Sequence, residues 1–180
     1  MVRVHGGPPT VLIRQAESRY PQRVSDPLLP LGRDMWSRDL FLIPLLSWDD
    51  WPRDLELPSR HFCLLSVGDA QGTAQEVIDN FIDGALDAGC VYSCAWGPDC
   101  ARVELSFDLR WVQRNIEDIN SGAPVLMTTS HERDTLEDAL EFLTVVAVPD
   151  DAFVATCGTA LVAVVGNDEW VTAIRHQFGN

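Results

Sequence analysis

The stretch His61-Phe62-Cys63-Leu64-Leu65-Ser66-Val67-Gly68-Asp69-Ala70-Gln71-Gly72-Thr73 decides the fold. Its first seven residues carry no formal charge and are apolar at both odd and even positions. That pattern suits a strand at the centre of a parallel sheet, buried on both faces. Gly68 to Gly72 then makes a tight turn, and Val77, Ile78, Phe81, Ile82, Ala85 and Leu86 follow with helical spacing. Thr73 with Glu76 reads as a capping box at the start of that helix, and Gly89 as its stop.

Moving outward, the same strand, turn and helix order recurs. Strand-length runs occupy residues 90–95, 125–129 and 159–165. Asp134 with Glu137 predicts a helix through Leu136, Leu140 and Leu143 that ends before Pro149, and Asn167 predicts a cap for a last helix carrying Trp170, Val171, Ile174 and Phe178. Residues 103–111 alternate like a strand, yet Leu105, Leu109, Val112, Ile116 and Ile119 keep helical spacing over a longer span. Two parallel strands need a crossover, which favours the helix. The expected fold is α/β: a three-layer sandwich with a mainly parallel sheet of about four strands flanked by helices.

Composition changes near residue 60. Residues 1–60 hold eight of the eleven prolines and balance eight arginines against eight acids, whereas residues 61–180 hold five arginines against nineteen acids. The expectation is a Pro/Trp-rich arm (1–60) followed by an acidic α/β domain (61–180). Trp36, Phe41, Leu42, Ile43, Trp48 and Trp51 make the arm too apolar to stay solvated. It either wraps its own domain or is exchanged with a second subunit in a homo-oligomer.

The net charge is -14, and all 13 basic residues are arginine. Without lysine there is no P-loop, Schiff-base enzyme or Ser-Lys hydrolase. The charge opposes contact with nucleic acid and anionic membranes and favours a protein partner with a basic surface. No segment reads as a signal peptide or membrane helix, so a cytoplasmic location is expected. Five cysteines in a chain with its own core point to reduced thiols.

Ligands of open parallel sheets bind beyond the carboxyl ends of the strands. The candidate edge therefore comprises Asp69, Cys94, Trp96, Asp99, Cys100, His131, Glu132, Asn167 and Asp168, with no cofactor and no metal assigned. The ordinary role of the acids is helix capping. Three other arrangements draw on these residues, one of them with Cys63 added. Asp69, Asp99, Glu132 and Asp168 would offer hard oxygen ligands to a divalent cation. Cys94 and Cys100 flank a turn and would form a zinc site with His131 and Cys63. Cys94 or Cys100 would be a nucleophile with His131 as base and Asp69 as orienting acid. Thiols acting as small apolar core residues are the plainer alternative to the last two.

The segment Cys94-Ala95-Trp96-Gly97-Pro98-Asp99-Cys100, with Thr128-Thr129-Ser130-His131-Glu132 and Leu136-Glu137-Asp138-Ala139-Leu140, resembles an uncharacterised bacterial family known only as a domain of unknown function. The resemblance covers roughly residues 61–180, implies a bacterial origin and transfers no catalytic residue.

Two functions follow. The first is a non-enzymatic interaction or regulatory module that binds a basic partner through the acidic domain. The alternative is a metal-dependent or Cys/His-based α/β enzyme, or a small-molecule-binding domain, with its site on the carboxyl edge.

Overall fold

The computed structural model describes residues 28–117, 122 and 124–179. Six strands form one sheet: β1 (Leu29–Arg33), β2 (Asp39–Leu45), β3 (His61–Val67), β4 (Cys90–Trp96), β5 (Met127–Ser130) and β6 (Cys157–Val165). Their order is β1-β2-β6-β3-β4-β5, with β1 antiparallel to β2 and every other pair parallel. The helices are α1 (Gln75–Asp87), α2 (Cys100–Arg114), α3 (Leu136–Glu141), α4 (Asp151–Val154) and α5 (Asp168–Gln177), with a π-helical turn at Phe142–Val146. No helix among the described residues is long and apolar enough to cross a membrane.

The expected count of about four strands is corrected to six. The two additional strands lie within the segment expected as an arm, while residues 1–27 of that segment lie outside the described residues. Prolines hid these strands. Pro30 stands on edge strand β1, beside a register shift between Pro30 and Gly32. The Leu45 carbonyl accepts from Gly166 N–H just past the end of β6, so alternation turns Pro44 to the β1 side, where the β1 ladder has already ended at Leu42. A missing N–H costs no ladder bond at such positions.

Side-chain alternation separates two apolar clusters. Ile43, Phe62, Leu64, Leu161 and Ala163 share the first with Ile78, Phe81 and Ile82 of α1 and Val103 and Phe107 of α2. Leu42, Cys63, Leu65, Val162 and Val164 share the second with Leu140 of α3 and Ile174 of α5. Burying a single phenylalanine such as Phe62, Phe81 or Phe107 is worth about 1.5–3 kcal/mol.

Right-handed crossovers account for this division. The connections β3-α1-β4 and β4-α2-β5 step across the sheet in one direction and lie on the first face. The return from β5 to β6 runs the other way, so α3 packs on the second. The step from β2 to β3 also belongs to the first face, but Pro52 and Pro58 interrupt it, and tryptophans do the packing instead. Trp48 and Trp51 meet Phe81 edge-on at 4.9 and 5.1 Å.

Several local expectations change. Residues 103–111 are helical, within α2, but α2 buries Cys100, Val103, Ser106 and Phe107. Leu105, Leu109, Val112 and Ile116 are exposed, and Ile119 lies outside the described residues. The apolar period identified the element and misassigned its buried face. Ala74, without a side-chain cap bond, replaces the expected Thr73 box at α1. The second box is Thr135 with Asp138, one residue later than expected, because Asp134 is engaged by His131. Asn167 caps α5 as expected, accepting from the N–H groups of Glu169 and Trp170.

Candidate functional site

Clefts form on the carboxyl edge where the helices after neighbouring strands leave to opposite faces. This happens twice. After β3 and β6, α1 departs to the first face and α5 to the second, leaving a cleft of about 540 Å³ lined by Leu46, Trp48, Asp69, Pro98, Asn167 and Trp170 among others. After β4 and β5, α2 and α3 diverge in the same way. The cleft there has about 470 Å³ and is lined by Trp96, Gly97, Pro98, Asp99 and residues 131–134.

Pro98 lines both clefts, and the edge-on pair Trp96–Trp170, with centroids 5.3 Å apart, joins their sides. Gly97 permits this closeness. Its φ is +113°, and a Cβ there would collide with the Gly68 carbonyl oxygen. Trp48 helps fix the first cleft by donating from Nε1 to the Asp69 carbonyl at 3.0 Å.

In the second cleft the Trp96 indole donates to the Asp134 carbonyl at 2.9 Å. His131 Nδ1 lies 2.7 Å from Asp134 Oδ2, its ring stands edge-on to Phe142, and Nε2 lies 3.4 Å from Thr129 Oγ1. Asp99 adopts φ +64° at the start of α2 and accepts from Arg102 Nε at 2.7 Å. Glu132 and Arg133 are exposed on the rim.

The nine expected edge residues therefore fall into separate places. Trp96, Asp99, His131 and Glu132 share the second cleft, and Asp69 and Asn167 share the first. Asp168 lines neither and lies in the first turn of α5. Cys94 and Cys100 are both buried, but they belong to clusters on opposite faces. The sheet therefore separates the two thiols: the His131 ring lies against Phe142, which packs on the face of Cys94, while the Cys100 thiol meets the His131 backbone. Burial also pushes the Cys94 thiol up to about 12 and raises Cys100, so both stay protonated at neutral pH. Among the described residues no three His, Cys, Asp or Glu side chains gather to hold a metal ion. Asp69 accepts from Gln71 N–H and Asp99 from Arg102, local bonds that draw the carboxylates apart.

Trp48, Trp170 and Asp134 were missed by the sequence reading. Trp170 stands at the third position after its cap and lines the first cleft. The His131-x-x-Asp134 spacing was a legible signal for a hydrogen-bonded pair. A larger cleft of about 770 Å³ lies beside α1, lined by Trp51, Arg53, Asp54, Glu56, Gly84 and Asp87 among others. It contains none of the expected residues and sits at the opposite end of α1 from the carboxyl edge.

Comparison with protein families matches residues 43–178 to the model described as Domain of unknown function (DUF7684). No curated protein and no solved structure matches the chain.

Proposed function

This chain belongs to the domain-of-unknown-function family matched over residues 43–178, and from its own clefts we propose that it is a non-enzymatic interaction or regulatory module that binds a basic protein segment. The observation that carries the proposal is the cleft between β4 and β5. There the Trp96 indole stands among Asp99, Glu132 and Asp134, with Arg133 as the single cation lining it. An indole face and carboxylates together suit a guanidinium or ammonium group entering from a partner. The charge of -14 supports the same reading, since it draws basic surfaces from a distance. Separate apolar clusters on the two faces support a three-layer sandwich as the scaffold.

The test is fluorescence anisotropy with a labelled nona-arginine peptide at roughly 20 to 200 mM salt, a range over which screening of exposed charges grows strongly. Affinity is expected to fall with salt, to weaken in Glu132→Gln and to strengthen in Arg133→Glu. Binding indifferent to salt, or unchanged by both substitutions, overturns the proposal.

A second reading, a small-molecule or enzymatic site on the same edge, rests on the His131–Asp134 pair at 2.7 Å. A carboxylate holding one imidazole nitrogen is how a general base is oriented. Against it, His131 is only 6% exposed and its other nitrogen faces Thr129. Thermal-shift screening with small carboxylates and phosphates separates the readings, because a small anion that binds the folded state raises the melting temperature, whereas a cleft for basic groups does not take it.

A further inference from the structure

A second chemically distinct site lies at the other end of the sheet, on its second face. The turn between β1 and β2 sends Arg38 inward until only 4% of the residue is exposed. Its Nε meets Asp34 Oδ2 at 2.5 Å, and its other nitrogens reach the Leu143 carbonyl at 2.7 Å, the Ala147 carbonyl at 2.8 Å and Cys63 Sγ at 2.7 Å. Cys63 Sγ lies in turn 3.6 Å from Cys157 Sγ. Two thiols thus touch beneath a buried guanidinium. Apolar packing alone calls for no cation there, and the two carbonyls could be satisfied without one.

Access is specific to one of the sulfurs. Cys157 lines a cavity of about 110 Å³ with Trp36, Arg38, Ala147, Val148, Pro149 and Val154, whereas Cys63 is fully buried behind it. At about 30 Å³ per water in the liquid, this space holds three or four water-sized groups. A hydroperoxide fits.

We propose that Cys157 and Cys63 form a peroxide-reactive dithiol, with Cys157 as the attacking sulfur and Cys63 as the resolving one. In the first step the Cys157 thiolate attacks the terminal oxygen of a hydroperoxide. The S–O bond forms, the O–O bond breaks, and the departing hydroxide or alkoxide takes a proton to leave as water or alcohol. In the second step Cys63 Sγ attacks Cys157 Sγ. The S–S bond forms, the S–O bond breaks, and the hydroxyl leaves as water with the proton from Cys63. Two thiols have lost two electrons, and the peroxide has gained them.

The charge of Arg38 favours a thiolate on either sulfur, and the division of roles follows from which sulfur lines the cavity. A hydrogen bond from the Cys63 thiol holds the Cys157 pKa below the ordinary thiol value, Arg38 assists, and burial opposes them. Cys63 is pushed the other way by the same hydrogen bond and by burial. Arg38 also lines the cavity, where its charge stabilises the leaving oxygen.

The test uses the reduced full chain treated with one equivalent of hydrogen peroxide at neutral pH. The protein is then denatured, alkylated with N-ethylmaleimide and mapped by mass spectrometry. The expected result is two fewer alkylated cysteines, a peptide linking Cys63 to Cys157, and peroxide consumption about tenfold faster than by glutathione at the same pH. In Cys63→Ser, dimedone should trap a sulfenic acid at Cys157. Five alkylated thiols, a link that does not join these two residues, or a rate no faster than glutathione overturns the proposal. Should Cys63→Ser fail to fold by circular dichroism, the wild-type linkage and rate decide alone.

Discussion

Trp51 lays its indole directly on Gly84, so close that a Cβ at that position would stand 2.5 Å from Trp51 Cδ1. Glycine inside a helix is about 1 kcal/mol less favourable than alanine, yet α1 carries one three residues before its end. The helix accepts the poorer residue because the β2–β3 connection, lacking a helix of its own, must press its tryptophans flat against α1.

Gly84→Ala is therefore expected to destabilise the protein by about 1–3 kcal/mol, the usual cost of overpacking, despite the gain in helix propensity. In a Trp51→Ala background the same substitution should be neutral or stabilising. Urea unfolding of the four variants of this cycle measures the reversal.

Asp34→Asn is expected to cost about 3–5 kcal/mol, because it leaves the guanidinium of Arg38 in a buried site without its carboxylate. The side chains of that pair are 5% and 0% exposed, so solvent offers little compensation. Thermal and urea unfolding should both register the loss, whereas substitutions at the exposed pair Arg33–Asp39 should change stability by less than about 1 kcal/mol.

Asp83 joins α1 to α2 by accepting from Arg110 and Arg114. Partial burial alone would raise its pKa, but these hydrogen bonds outweigh burial and hold it below the ordinary carboxylate value. The sign follows from the proton count. Above the unfolded value of about 3.9 the ionised pair stabilises the fold, and that contribution disappears as the pH falls through the lower folded value. Asp83→Asn should thus be less stable than wild type near pH 7, by up to about 1 kcal/mol for so solvent-accessible a pair. The difference should shrink as the pH falls below the unfolded value of about 3.9 and close below the lower folded value. Unfolding curves across that range decide.

Asn167→Ala is expected to cost about 0.5–2 kcal/mol through loss of the α5 cap. Since the cap bonds the N–H of Trp170 itself, the Trp96–Trp170 contact should loosen as well. Weakened near-UV circular dichroism from the indole pair would report it, and an unchanged spectrum would show that packing alone holds Trp170.

How far the fold was legible depended on what each strand touches. Runs such as those of β3 and β6 are buried on both faces and contain no proline, so they announced themselves. For β1 and β2 the same apolar content was interrupted by Pro30, Gly32 and Pro44, residues that a strand tolerates only beside an edge, and edge position is a tertiary fact. At the candidate site, the loops that form the two clefts were readable because parallel topology fixes where they must be. Which loops would meet was not. Cys94 and Cys100 sit only six positions apart in sequence, and the sheet between their faces keeps them from acting together. The contact between Cys63 and Cys157 crosses 94 positions of chain and depends on β6 lying beside β3, an order that no local pattern encodes.

That order has a kinetic corollary. β6 follows every other described strand in the chain yet lies between β2 and β3. Until it arrives, the β1–β2 ribbon and the β3–β4–β5 unit have no ladder in common, and each presents an open inner edge to whatever is nearby. Closure joins residues more than a hundred positions apart, a long-range search that slows folding. A nascent or truncated chain ending before Cys157 would not be a smaller sheet but two fragments, each missing the strand that hides its stickiest edge.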